Sequence, residues 1–265
     1  MRRFAGMSLE PAHASHVRPR VLAIGALLCT VAAMLLVPAS KASASDTRYP
    51  SLAGKWDVGQ FNADGAYEIV KARPVGARGG VRFPFLDRPD TVYLTTEHPA
   101  YRGRLLGDLT GKTLRARVGV NVAPGTQFTY WGEPDGSDTP SNVRLYFETD
   151  ISLGPITCPC QSKGWSSIWY SDPVKIDLQA LRFGDRVLSV DLDPALWADG
   201  QETPGTADDE HEGYFAQAAA HVDGVGLSFA GGLHLHNGVG IVPGTGSGSF
   251  RLVSYEARAS EACPT

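Results

Sequence analysis

The residues best equipped for chemistry in this 265-residue chain are aromatic rings placed beside small polar neighbours. Tyr130 and Trp131 precede a Gly- and Asp-rich stretch, and Trp165, Trp169 and Tyr170 flank Ser166 and Ser167. Sugar rings present apolar C–H faces that stack on Trp and Tyr, while nearby polar groups bond the hydroxyls. Trp165 and Trp169 are four apart, so in a strand they share a face, as a stacking platform requires. Packing into a sandwich core is the competing use of these two rings. Tyr130 and Trp131 are adjacent, so in a strand one of them must point outward. These five residues form the candidate ligand-binding set, with a glycan as the leading ligand class.

Other reactive groups are less well arranged. His234 and His236 are alternate residues that project the same way from an extended segment, and His211 sits among Asp208, Asp209, Glu210 and Glu212. A His-x-His pair with a remote carboxylate can hold zinc or copper, but no third ligand is marked in the sequence, and a solvated loop pair is the simpler account. The carboxylates from Asp199 to Glu212 supply oxygens of the kind calcium takes, without EF-hand or RTX spacing. No cofactor is therefore expected. A structural calcium elsewhere, as some carbohydrate-binding jelly rolls carry, has no residues assigned to it. Gly246-Ser247-Gly248 lacks the strand–turn–helix context of a nucleophile elbow. Glu148 and Asp150, alternate residues at a strand end, would suit a glycosidase, and Tyr with His on a sandwich face a polysaccharide lyase. Neither has a partner that the sequence names. A non-catalytic binding module is the expectation, with a carbohydrate-active enzyme or a protein-binding structural module as alternatives.

The elements that must position these residues are short strands. Residues 112–122 place Leu114, Ala116, Val118, Val120 and Val122 on one face, with Arg115, Arg117 and Asn121 on the other. Residues 142–149 turn Val143, Leu145 and Phe147 inward. Further runs lie at 66–72, 90–96, 165–170, 174–178, 186–192, 226–229 and 249–255, and 75–82 reads as a turn region. Asp193-Pro194 has the form of a capped single turn. Residues 199–212 are polar enough to suggest a mobile loop. Behind them, Phe215, Ala218, Ala219 and Val222 mark one short amphipathic helix over 213–222. The fold class that follows is all-β: an antiparallel, jelly-roll-like β-sandwich with one short crossing helix.

Compartment and charge narrow the function classes. Arginines precede an apolar run at 21–37, followed by Pro38 and the small-residue site Ala42-Ser43-Ala44. This is the pattern of a signal peptide over residues 1–44, leaving 45–265 as one extracellular domain after cleavage at Ala44. That remainder carries 19 basic against 27 acidic residues and no Lys/Arg-rich run. Nucleic acid and anionic membranes, which need clustered positive charge, are not expected as partners; a glycan or an extracellular protein is. Three cysteines follow the leader: Cys158, Cys160 and Cys263. A bridge inside Cys158-Pro159-Cys160 closes a very small ring, so a Cys160–Cys263 bridge tying down the C-terminal tail is favoured, with Cys158 as the alternative partner.

Two stretches carry a family resemblance. Residues 93–114, with Gly107-Asp108 ahead of a strand-starting Leu114, resemble the opening of laminin B (laminin IV-type) domains. The later order of Trp197, Phe215, Ala219, Val222, Gly226-Leu227-Ser228-Phe229, Gly238, Gly240, Gly248 and Phe250 resembles the closing half of laminin-B-like and galactose-binding-like jelly rolls. The resemblance implies a β-sandwich with an adhesive or carbohydrate-binding role and no catalysis. The acidic loop and the Cys-Pro-Cys pair stand outside that pattern.

Overall fold

The computed structural model describes residues 52, 54–75, 80–134, 138–156 and 163–260. The leader and all four cysteines lie outside the described residues, and with them the cleavage and disulfide expectations. In chain order the strands are β1 (Asp57–Phe61), β2 (Tyr67–Lys71), β3 (Arg73–Val75), β4 (Gly80–Pro84) and β5 (Thr91–Thr96). They continue with β6 (Lys112–Val122), β7 (Phe128–Tyr130), β8 (Asn142–Glu148), β9 (Ile168–Ser171) and β10 (Ile176–Asp177). The last five are β11 (Arg186–Asp191), β12 (Trp197–Asp199), β13 (Gly224–Ala230), β14 (Val239–Ile241) and β15 (Gly248–Ala259). One helix, α1 (Asp209–Ala220), precedes β13.

The strands form two antiparallel sheets. The larger runs β12-β9-β8-β13-β5-β1-β2, with β10, β7 and β14 attached, and the smaller runs β11-β6-β15-β4-β3. This is an all-β sandwich. Alternation dictates its core: Leu114, Ala116 and Val118 of β6 and Val143, Leu145 and Phe147 of β8 are all fully buried. Edge-to-face rings hold the sheets together, with Phe229 of β13 4.9 Å from Phe250 of β15 at 87°. At the other end Trp56 packs on Tyr255, 5.2 Å between rings.

Three expectations need correction. The expected turn region at 75–82 gives way at Gly80 to β4, because Val81 and Phe83 alternate with exposed Arg82 and anchor in the core. Residues 199–212 are organised rather than loose. Asp199 is buried and accepts hydrogen bonds from the Gln201 and Thr203 amides (2.9 and 3.0 Å) and from the Ser166 hydroxyl (2.9 Å). Asp208 caps the helix by accepting from the His211 amide at 2.8 Å, which starts α1 four residues before the amphipathic pattern begins. Finally, Trp165 is not in a strand: residues Trp165–Ser167 form a single 3-10 turn and β9 begins at Ile168.

Strand alternation also predicts a solvated outer face on the larger sheet, and that face is largely covered. In β8 and β13 nearly every residue is buried, Arg144 and Tyr146 included. The cover comes from residues 231–238, which fold back over the sheet. Ser228 donates to the Leu235 carbonyl at 2.7 Å, and Leu235 is buried against Tyr146, Tyr170 and Ala198.

Candidate functional site

Tyrosines from four strands gather on that outer face. Tyr93 of β5 and Tyr170 of β9 share a hydrogen bond of 2.7 Å between their phenolic oxygens. Tyr146 of β8 lies between them, its ring 5.1 Å from Tyr93 and 6.2 Å from Tyr170. Tyr67 of β2 is half exposed and packs edge-on against exposed Phe61 at 5.6 Å. Glycines on neighbouring strands leave room for these side chains to approach the sheet. A Cβ on Gly226, opposite Tyr146 in the register, would stand 2.8 Å from the Tyr146 ring and strike the Leu94 carbonyl oxygen. At Gly59 it would meet the end of the Tyr67 side chain, 2.9 Å from Cζ. At Gly224 it would lie 2.7 Å from Oε1 of Glu148. Such glycines mark where side chains or a ligand approach the sheet backbone closely.

Glu148, at the end of β8, gives this face its charge. Burial pushes its carboxyl up to about 7; Lys163 opposes the shift, and Glu97, Asp150 and Asp223 add to it. Lys163 itself bonds Asp150 at 2.6 Å and the Thr149 carbonyl at 3.1 Å. Burial pushes the Tyr93, Tyr146 and Tyr170 phenols well above their ordinary range. They stay neutral at physiological pH and can donate or accept hydrogen bonds.

Residues 231–238 link this field to Trp131. His236 stacks on Tyr170, rings 5.0 Å apart and nearly parallel, and burial pulls its imidazole below the usual range. At the other end of the loop, Asn237 donates to the Trp131 carbonyl at 2.7 Å, and the Trp131 amide donates to Gly238 at 3.2 Å. Trp131 is 66% exposed while its neighbour Tyr130 is buried; β7 ends at Tyr130 and Trp131 opens the following turn, so the turn and not strand alternation exposes the ring. His234 turns outward to Glu202, 3.2 Å away, so the two alternate histidines do not act as a pair. Among the described residues no group of three His, Cys, Asp or Glu is placed to hold a metal ion.

The structure separates the five aromatic candidates. Trp169 is fully buried in the core, 5.1 Å from Phe215 of α1, and donates to the Ser166 carbonyl at 2.8 Å. Trp165, in its 3-10 turn, is half-buried and lies against Gly200. The two therefore share no strand face, because the chain coils between them. Tyr170 belongs to the tyrosine field, and Trp131 is the exposed ring. Sequence reading missed Tyr67, Tyr93 and Tyr146, and weighed His236 only as half of a metal pair with His234, whereas it stacks on Tyr170. The detectable signal was the match of Tyr at alternate strand positions with Gly on other strands, but it requires the register to be read.

The smaller sheet presents a different chemistry. Arg73, Arg82 and Arg251 are directly opposite one another on β3, β4 and β15, and Arg115, Arg117 and Arg258 extend the same outer face. The linear sequence has no basic run, yet the register gathers six arginines. The argument that this chain lacks clustered positive charge does not hold for this face.

No helix among the described residues is long and apolar enough to cross a membrane. No protein-family model matches the chain, and no curated protein sequence matches it either.

Proposed function

We propose that this protein is a secreted, non-catalytic binding module whose ligand is a glycan held on the outer face of the larger sheet. The observation that carries the reading is the glycine-floored tyrosine field, rimmed by exposed Tyr67, Phe61 and, through residues 231–238, Trp131. Exposed rings offer stacking for sugar C–H faces, and the half-exposed Tyr67 phenol offers a hydrogen bond to a hydroxyl, while Tyr93, Tyr146 and Tyr170 lie beneath as its support. A polysaccharide panel tests it, with reducing ends and unsaturated products assayed in the same wells. Saturable binding without product, weakened in Tyr67→Ala and Trp131→Ala, is the expected result. Silence across the panel overturns the glycan reading and moves the search to protein partners.

A second reading is favoured by one observation. A carboxyl held at about 7 is suited to give and take protons near neutral pH. In a carbohydrate-active enzyme, Glu148 would protonate the departing glycosidic oxygen, with Glu97 as the second carboxylate. Product release that disappears in Glu148→Gln would replace the module reading with this one.

A further inference from the structure

We infer that the outer face of the smaller sheet is a second binding surface, and that its ligand is an anionic polysaccharide bearing carboxylate or sulfate groups. Like charges directly opposite on antiparallel strands repel and destabilise a sheet. Here Arg73 faces Arg82, and Arg82 faces Arg251, with no carboxylate between them. Arg73 and Arg82 are exposed and make no ion pair among the described residues. Nothing in folding alone calls for that row, whereas a polyanion would neutralise it.

The rest of the face is built to hold guanidinium groups at fixed places. Asp185 pairs with Arg251 and with Arg117, the latter at 3.2 Å, and Glu256 pairs with Arg258 at 2.8 Å and Arg115 at 3.9 Å. A side chain on Gly119 would displace the Arg251 guanidinium, standing 2.9 Å from Nε, so this glycine is what lets Arg251 lie across β6. Arg115, Arg117 and Arg258, with Asp185, Val187, Ser254 and Glu256, line a depression of about 350 Å³. A guanidinium has five donors, and the shared Asp185 carboxylate uses few of those on Arg117 and Arg251, leaving N–H groups for an incoming oxyanion.

Geometry favours a polysaccharide over a nucleic acid. The row runs across the strands, so successive arginines are spaced by roughly 4.8 Å at the backbone, comparable with one sugar of an extended chain. No outward residue of β3, β4, β6, β11 or β15 is aromatic, so unpaired bases would find no ring platform to stack on. This surface is opposite in charge to the Glu148 end of the tyrosine field and does not depend on the glycan reading of that field.

Retention of the purified protein on immobilised dextran sulfate, polygalacturonate, uncharged dextran and single-stranded DNA tests the inference. The protein should bind one or both acidic polysaccharides, bind dextran weakly or not at all, and elute with salt. The double variant Arg73→Ala/Arg82→Ala, which touches only exposed side chains, should melt at or slightly above the parent because the repulsion is relieved, and bind about tenfold or more weakly, the scale of one lost charge-assisted hydrogen bond. Tyr67→Ala should bind acidic polysaccharide like the parent, which separates this surface from the tyrosine field. Unchanged affinity in the double variant, no retention by either acidic polysaccharide, or tighter binding to DNA than to both would each overturn it.

Discussion

Tyr93 and Tyr170 stand on strands separated by two others, yet their phenolic oxygens approach to 2.7 Å over β13 and β8. Both hydroxyls are buried, so either one left alone loses its partner without regaining water. Tyr93→Phe and Tyr170→Phe should each cost about 1–2 kcal/mol. The double variant should cost little more than either single one, because the remaining orphan is removed as well. Urea denaturation of the four proteins measures the coupling. Strictly additive losses would show that the pair is not a unit.

Two glycines of the floor should respond differently to the same methyl group. At Gly226 the new Cβ strikes the Leu94 carbonyl oxygen, a backbone atom that cannot swing away. Gly226→Ala should therefore destabilise the sandwich by roughly 1–3 kcal/mol, the range for overpacking. At Gly59 the methyl meets only the tip of Tyr67, which can rotate outward. Gly59→Ala should leave the melting temperature nearly unchanged while weakening ligand binding. Equal destabilisation by both would mean that Tyr67 is not free to move.

The tryptophans give a third contrast. Trp169→Ala removes a fully buried ring from between β9 and α1 and should cost about 3–5 kcal/mol. Trp131→Ala removes a ring that is 66% exposed and should stay within about 0.5 kcal/mol of the parent. Chemical denaturation separates the two. A large loss at Trp131 would mean that its ring, not its backbone, secures residues 231–238.

These contrasts also mark what the sequence could express. The strand at Lys112–Val122 matches its expected bounds because five apolar residues on one face and polar ones on the other leave no second reading. Phe215, Ala218 and Ala219 likewise pointed to the buried side of α1. The start of that helix was hidden, since a run of acids reads as a solvated loop until Asp208 is seen to cap it. The candidate site was less legible still. Spacing placed Trp165 and Trp169 on one strand face, but a 3-10 turn intervenes. The tyrosine field and the arginine row both join residues far apart in the chain, and only strand order and register bring them together. Composition cannot encode which alternate residues become neighbours.

Glu148 predicts a pH dependence with an unusual sign for a carboxylate. Its folded value, about 7, lies above its unfolded value of 4.5, so the folded state binds the proton more tightly. The stability it contributes is full below pH 4.5 and is lost as pH rises through 7. Glu148→Gln keeps the shape and removes the titration. The variant should gain on the parent by on the order of 2–3 kcal/mol between pH 4.5 and 8. Melting curves at both ends of that window check this, and a constant difference would mean that Glu148 titrates normally.

His236 works in the opposite direction, which is why a pH scan of the parent alone is not diagnostic. Burial holds its imidazole below the ordinary value, so the unfolded chain takes up the proton first as pH falls. Stability present above about 6.5 is then lost on acidification through the folded value, while Glu148 is regaining its own. The Nδ1 atom of His236 is buried without a hydrogen-bond partner among the described residues, and the ring lies flat on Tyr170. His236→Phe keeps that stacking and discards the proton site. Relative to the parent, the variant should be about equally stable at pH 8 and more stable at pH 5. A difference independent of pH would mean that His236 binds its proton equally in the folded and unfolded chain. A less stable variant at both values would mean that the imidazole makes a bond that phenylalanine cannot.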